Sequence, residues 1–297
     1  MLNTPTPSRL ALPGLFLGAL AIALSPIWVR LSELSPAVSA FHRVFLALPL
    51  LWAWILWTRV PRARRGRRVA SLTARDRLAL LAAGLLFAGD LGFWHWSITL
   101  TSVANATLLA NFAPVFVTLG AVVLFRQRIR ALFLVGMVTA LLGAAILIGA
   151  DFNSHGTHLR GDVLGLITAV FYAAYLLAVG RLRSRLDVLT VMAWTSLGTA
   201  LGLLPVALLA EGPFWPQSAN GWWVLLGLAW ISHSGGQGLI AFALAHLPAT
   251  FSSVGLLLQP AIAALLAWWW LNEALGPWQL AGGIVVLAGI YLAHRGR

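Results

Sequence analysis

Trp230, His233, Ser234 and Gln237 fall at i, i+3, i+4 and i+7, and this spacing predicts one stripe of an α-helix. An imidazole, a hydroxyl and an amide on one stripe can orient the polar ends of a small molecule, and the indole adds a flat apolar face. Gly235, Gly236 and Gly238 leave room there for close helix approach or a local bend. A second stripe carries Gly161, Gly165, Thr168, Tyr172 and Tyr175, with two phenols about one turn apart that are placed to clamp an aromatic ring. A third carries Thr107, Asn111, Pro114 and Thr118, and Pro114 frees a backbone carbonyl one turn earlier. The alternative in each case is that the polar groups only bond neighbouring helices and the prolines only kink them.

These are binding groups, and the pattern of a catalytic centre is missing from the sequence. There is no cysteine or lysine, no HExxH and no GxSxG, so a thiol nucleophile, a zinc-protease helix, a serine elbow and a Walker A site are excluded. No cofactor is expected. The ionisable residues inside apolar stretches are Arg43, Asp90, His95 and His233, with His42 beside the arginine. Arg43 lies seven residues after Pro36 and Asp90 nine before Thr99, which at ~1.5 Å per residue gives both a similar depth. A buried Arg43–Asp90 ion pair is expected from this match; a proton-coupling role for Asp90 is the alternative. No wholly buried acid–base pair is available for strong zwitterion capture, and broad, modest selection follows.

The elements that must hold these residues are membrane helices. Of 297 residues 60% are hydrophobic and 9% charged, far from the composition of a soluble domain. Ten apolar runs predict an all-α polytopic membrane protein with ten transmembrane helices: Leu12–Trp28, Pro36–Trp57, Leu78–Thr99, Ser102–Phe125, Ala131–Ala150, Gly161–Gly180, Val188–Ala210, Trp222–Leu244, Ala249–Leu271 and Pro277–Ala293. Nine further spans argue against reading the first as a signal peptide. Most tryptophans, among them Trp54, Trp57, Trp223, Trp269 and Trp278, sit near run ends, where interfacial belts belong. Trp230 is the exception, deeper and on a polar stripe. The net charge of +12 comes from arginine alone, and if the spans alternate, 17 arginines lie on one side and two on the other. That bias places both termini in the cytoplasm, makes RVPRARRGRR an orientation signal with a contact to anionic lipid, and argues against nucleic acid as a partner.

The chain also repeats itself. NFAPVFVTLGAVVLFRQ from Asn111 returns as LLQPAIAALLAWWWLNE, and the pairs Pro114/Pro260, Gln127/Glu273, Gly136/Gly282 and Gly143/Gly289 are each 146 residues apart. Halves 1–150 and 151–297 then hold five spans each, and an odd number forces the second to enter the membrane from the opposite side. Two inverted five-helix repeats with matched breakers at Pro114 and Pro260 predict alternating access around a midplane site for a small-molecule substrate. A purely structural duplication is the alternative; a channel would call for a ring of like side chains, which neither half offers.

This pattern of proline and glycine in the fourth, fifth, ninth and tenth spans, Glu273 after the ninth, and the single arginine of SPAVSAFHRVFLALPLLW resembles the drug/metabolite transporter superfamily, EamA type. Across nearly the whole chain the likeness is to bacterial exporters of aromatic amino acids. The resemblance implies a central cavity bounded by the first, third, fourth, sixth, eighth and ninth helices, which brings Trp94 and Trp28 into consideration beside His95. Arg126-Gln127-Arg128 stands where the second half has an acid, so Glu273 lacks a symmetric counterpart. Export of aromatic and other apolar amino acids through the inner membrane is the expectation, with broad efflux of hydrophobic compounds as the alternative.

Overall fold

The computed structural model describes residues 8–64, 72–100, 103–149, 159–271 and 276–297, and every regular element among them is helical. Eight helical stretches are long and apolar enough to cross a membrane, and Ala131–Leu147 is a shorter apolar helix. The remaining expected span is interrupted: it runs as Ala219–Leu226, a π-helix over Gly227–Gln237, and Gly238–Ala243. Counted with it, the described residues make the ten membrane helices expected. The junction at 150/151, Glu273, and Arg65, Arg67 and Arg68 of the basic run lie outside the described residues.

Four spans are broken, each close before a proline. The first stops at Ala23 and resumes at Ser25 with Pro26 in its opening turn. The second stops at Phe45 and resumes at Ala47, two residues before Pro49. The fourth breaks between Ala110 and Ala113, and the ninth between Gly255 and Leu258. Proline lacks the N–H that its i−4 carbonyl needs and its ring crowds that carbonyl, whereas the first turn of a helix tolerates both losses. Pro114 and Pro260 therefore act as the breakers the sequence reading expected and do not merely kink continuous helices; each sits in the first turns of a second segment. The two breaks fall at corresponding places in the repeats to within one residue.

The fifth and tenth spans, Ala131–Gly149 and Pro277–Gly296, meet backbone to backbone. A Cβ on Gly143 would lie 2.5 Å from the Val286 nitrogen, and one on Gly282 2.7 Å from the Leu147 nitrogen. Gly136 and Gly289 make the same approach one step along, at 2.2 Å from Ala293 N and 2.3 Å from Ala140 N. Rising numbers on one helix meet falling numbers on the other, so these repeat mates run antiparallel. Between helices in lipid, small residues permit the close packing that an apolar solvent does not otherwise drive. Leu119, Val123, Leu142, Ile284 and Leu287 point away from the bundle and are exposed, as a lipid-facing surface requires.

Polar clasps join the two ends of the bundle. At the end holding the loop between the first two spans, Glu33 accepts from the backbone nitrogens of Gln217 at 2.9 Å and Ser218 at 3.3 Å, and from the Ser218 hydroxyl. At the other end, Asp76 is bridged to Arg185 at 2.9 Å. The Ser218 hydroxyl, then the Gln217 amide, hold the Glu33 carboxyl below its usual value. A carboxylate whose folded pKa is depressed contributes stability above its unfolded pKa of roughly 4.3, and loses it as pH falls through the folded value. Melting temperature in detergent is thus expected to drop more steeply below about pH 4.5 in the native protein than in Glu33→Gln. Identical acid limbs for the two proteins would rule out the clasp as a pH-sensitive contact.

Candidate functional site

The chain breaks converge. A cavity of about 250 Å³ is lined by Ile22, Ala23, Ser25 and Pro26 from the first span, Thr107, Ala110 and Asn111 from the fourth, and Gln259 and Pro260 from the ninth. Ile22 and Ala110 are the residues whose carbonyls lose their helical donor to Pro26 and Pro114. Irregular backbone at membrane depth is tolerated where it is buried in protein or lines a water-filled cavity. Asn111 sits in the fourth-span break itself, held by its amide donating to the Thr107 carbonyl at 2.8 Å.

The third, sixth and eighth spans supply the side chains between the breaks. Phe87, Asp90, Trp94 and His95 come from Ala74–Leu100, Thr168 and Tyr172 from Leu159–Arg183, and Gln237 from the end of the π-helix. Arg43 reaches the same space from Pro36–Phe45, where only 9% of it is exposed. The expected Arg43–Asp90 ion pair is not closed. The two act on each other electrostatically, but the close bridge recorded among the described residues is Arg185–Asp76. This overturns the expectation that no acid–base pair is available for a zwitterion: both side chains line the cavity. The Nε of Arg43 and the Nε2 atoms of His95, Gln237 and Gln259 have no hydrogen-bond partner among the described residues, an unusual concentration for buried polar atoms.

The eighth-span stripe does not survive folding. The i→i+5 bonding of a π-helix turns the chain less per residue than an α-helix, so residues four apart share a face and the i, i+3, i+7 set separates. His233 and Gln237 face inward at 1% exposure each, while Trp230 is 46% exposed and Ser234 bonds the Ala229 carbonyl of its own helix. The Trp230 indole donates to the Leu46 carbonyl at 3.1 Å, at the second-span break. His233 Nε2 meets the Ser196 hydroxyl at 2.8 Å, behind Phe87 and away from the cavity lining. The wide turn is held from outside: a Cβ on Gly18 would lie 2.9 Å from the Gly236 carbonyl, and the Ser232 hydroxyl donates to the Ala21 carbonyl at 2.8 Å.

Among the sixth-span tyrosines, only Tyr172 lines the cavity. Tyr175 is buried beneath it, stacked on Phe87 with centroids 4.6 Å apart, so the two phenols form no open clamp. Gln237 interacts with both hydroxyls and links this aromatic wall to the π-helix. Trp28 packs its indole on Gly227 and is not part of the lining. Of the residues singled out from sequence, Asn111, Tyr172, Gln237, Trp94, His95, Arg43, Asp90 and Pro260 are brought together, whereas Tyr175, Trp230, His233, Ser234 and Pro114 are not. Sequence reading missed Ser25 and Pro26, although the Ser-Pro step carried the same breaker signal as Pro114.

A solved structure 17% identical superposes with a TM-score of 0.79, covering 97% of this chain and 98% of its own length, and shows the fold alone. The sequence profile of the EamA-like transporter family matches twice, over residues 9–149 and again over 159–295. The chain belongs to the EamA-like transporter family. This EamA chain is similar to an uncharacterised transporter of Archaeoglobus fulgidus, 30% identical over 90% of both proteins. It is also 30% identical to a probable terminal-alkyne amino-acid exporter of Streptantibioticus cattleyicolor, over 68% of this chain and 67% of that one. A probable amino-acid metabolite efflux pump of Salmonella typhimurium is 28% identical over 72% and 75% of the respective chains. Family and apolar helices together make it an integral membrane protein of a transporter family.

Proposed function

We propose that this EamA transporter exports aromatic and other apolar amino acids across a bacterial inner membrane. The carrying observation is the cavity, where Phe87, Trp94 and Tyr172 offer ring faces beside unmet polar atoms on Arg43, His95 and Gln237. Halves 1–150 and 151–297 form two inverted repeats in this reading, supported by the odd number of spans per half and by the antiparallel run of the mated fifth and tenth helices. Alternating access then moves each half about the breaks before Pro114 and Pro260, which act as hinges. Two relatives named for amino-acid export or efflux support the substrate class. Counterflow of labelled phenylalanine in proteoliposomes tests it. Competition by apolar amino acids is expected; competition by lipophilic cations alone would replace the proposal with broad drug efflux.

Orientation belongs to the same proposal. With 17 arginines on one side and two on the other, both termini face the cytoplasm. Native cysteines are absent, so Asn220→Cys is expected to react with an impermeant thiol reagent in intact cells and Ser184→Cys only after lysis. The reverse labelling pattern would overturn the assignment.

A further inference from the structure

The cavity holds a guanidinium and a carboxyl side chain that no close bridge joins. Arg43 is nine-tenths buried, its Nε has no partner among the described residues, and no close bridge joins it to Asp90. His95 adds a further acceptor. Its Nδ1 faces the Leu91 carbonyl, so that nitrogen carries the hydrogen and donates, which leaves Nε2 of the neutral ring as a lone pair without a partner. Donor and acceptor groups thus line the same cavity as the rings of Phe87, Trp94 and Tyr172. Buried polar atoms left unmet are costly, and a buried arginine and carboxylate gain most when each meets an opposite charge. Water can fill such a space, but a ligand carrying both charges and an apolar body would satisfy every group at once.

We infer that Arg43 reads the carboxylate of an α-amino acid while Asp90, with His95 Nε2, reads its ammonium group, making the pair the specificity determinants of this transporter. The inference rests on the amino-acid reading above and deepens it. Substrates would need both charges. An amine without a carboxylate leaves Arg43 uncompensated, and an acid without an amine leaves Asp90 so. The aromatic wall contributes apolar contact common to all three ligand types and does not discriminate among them. Asn111, at the fourth-span break, adds a further polar group to the lining.

The test is competition against labelled phenylalanine in proteoliposomes by phenylalanine, phenethylamine and 3-phenylpropionate. In the native protein unlabelled phenylalanine is expected to compete at least tenfold more strongly than either one-charge analogue. Arg43→Gln should weaken phenylalanine at least tenfold and leave phenethylamine unchanged; Asp90→Asn should weaken phenylalanine and leave 3-phenylpropionate unchanged. Because the variants no longer transport labelled phenylalanine well, their affinities are read by ligand-induced thermal shift of the purified proteins, which also reports that they fold. Arg43→Lys keeps the charge and should recover part of the loss. Equal weakening of all three ligands by both variants would make the pair structural and overturn the inference. So would an Asp90→Asn protein with native selectivity whose flux has merely lost its dependence on pH, since Asp90 would then be a proton site. Failure of the native protein to exchange any amino acid would instead bring down the underlying functional reading.

Discussion

Gly143→Leu is expected to abolish the folded protein. The new Cβ alone would stand 2.5 Å from the Val286 nitrogen and 2.8 Å from the Gly282 carbonyl, and both obstacles are backbone. A side chain can rotate away from a clash, but a helix backbone must translate, and the tenth span is fixed at neighbouring points by Gly136 and Gly289. Overpacking of a well-packed site costs about 1–3 kcal/mol when side chains can adjust; separating two helices along their length adds the loss of their mutual packing. Against a total stability of roughly 5–15 kcal/mol that is decisive. Size-exclusion and thermal melting in detergent should show aggregated or unrecoverable Gly143→Leu beside native-like Gly92→Ala, where an added Cβ meets nothing within 4 Å. A Gly143→Leu protein with the native melting temperature would refute the seam.

Locking one end of the bundle is expected to stop transport without stopping binding. Glu33 and the Ser218 hydroxyl are in contact between the halves, and the chain is free of cysteine, so Glu33→Cys with Ser218→Cys can be joined by a short bifunctional thiol reagent. If the halves must part there to open the cavity, flux should fall at least tenfold, to background, while a ligand-induced thermal shift persists. A cleavable linker should restore flux on reduction. Undiminished flux through the joined protein would mean a path that never closes, and alternating access would fail with it.

What could be read from the sequence, and what could not, follows from the range of the interactions concerned. Span positions, the repeat and the glycine pairs were legible because apolar run length, proline and glycine act locally and recur at a fixed interval. The eighth-span stripe was misread because periodicity analysis assumes 3.6 residues per turn, whereas contacts from Gly18 and Ala21, more than two hundred residues earlier, hold Gly227–Gln237 in a wider turn. Matched depth correctly brought Arg43 and Asp90 to one level but could not say whether they touch. The Glu33 clasp pairs two loops in opposite halves of the sequence, and nothing local to LSELSP announces a partner near Ser218. His233 was rightly taken as buried; its partner Ser196 lies on another span, where no spacing rule reaches.

Part of the cavity wall has no side chain to remove. At the break before Pro114 the peptide group of Ala110 borders the same cavity as Arg43 and Asp90, and Pro114 denies its carbonyl the donor a continuous helix would supply; truncating Ala110 to glycine leaves that oxygen in place. An alanine scan of this protein would therefore pass over the main-chain part of the cavity wall. The informative exchange is the opposite one, at the proline: Pro114→Ala supplies the missing N–H and lets the helix close across the gap without touching a lining side chain. The wall of this cavity is thus shaped partly by a residue that cannot donate.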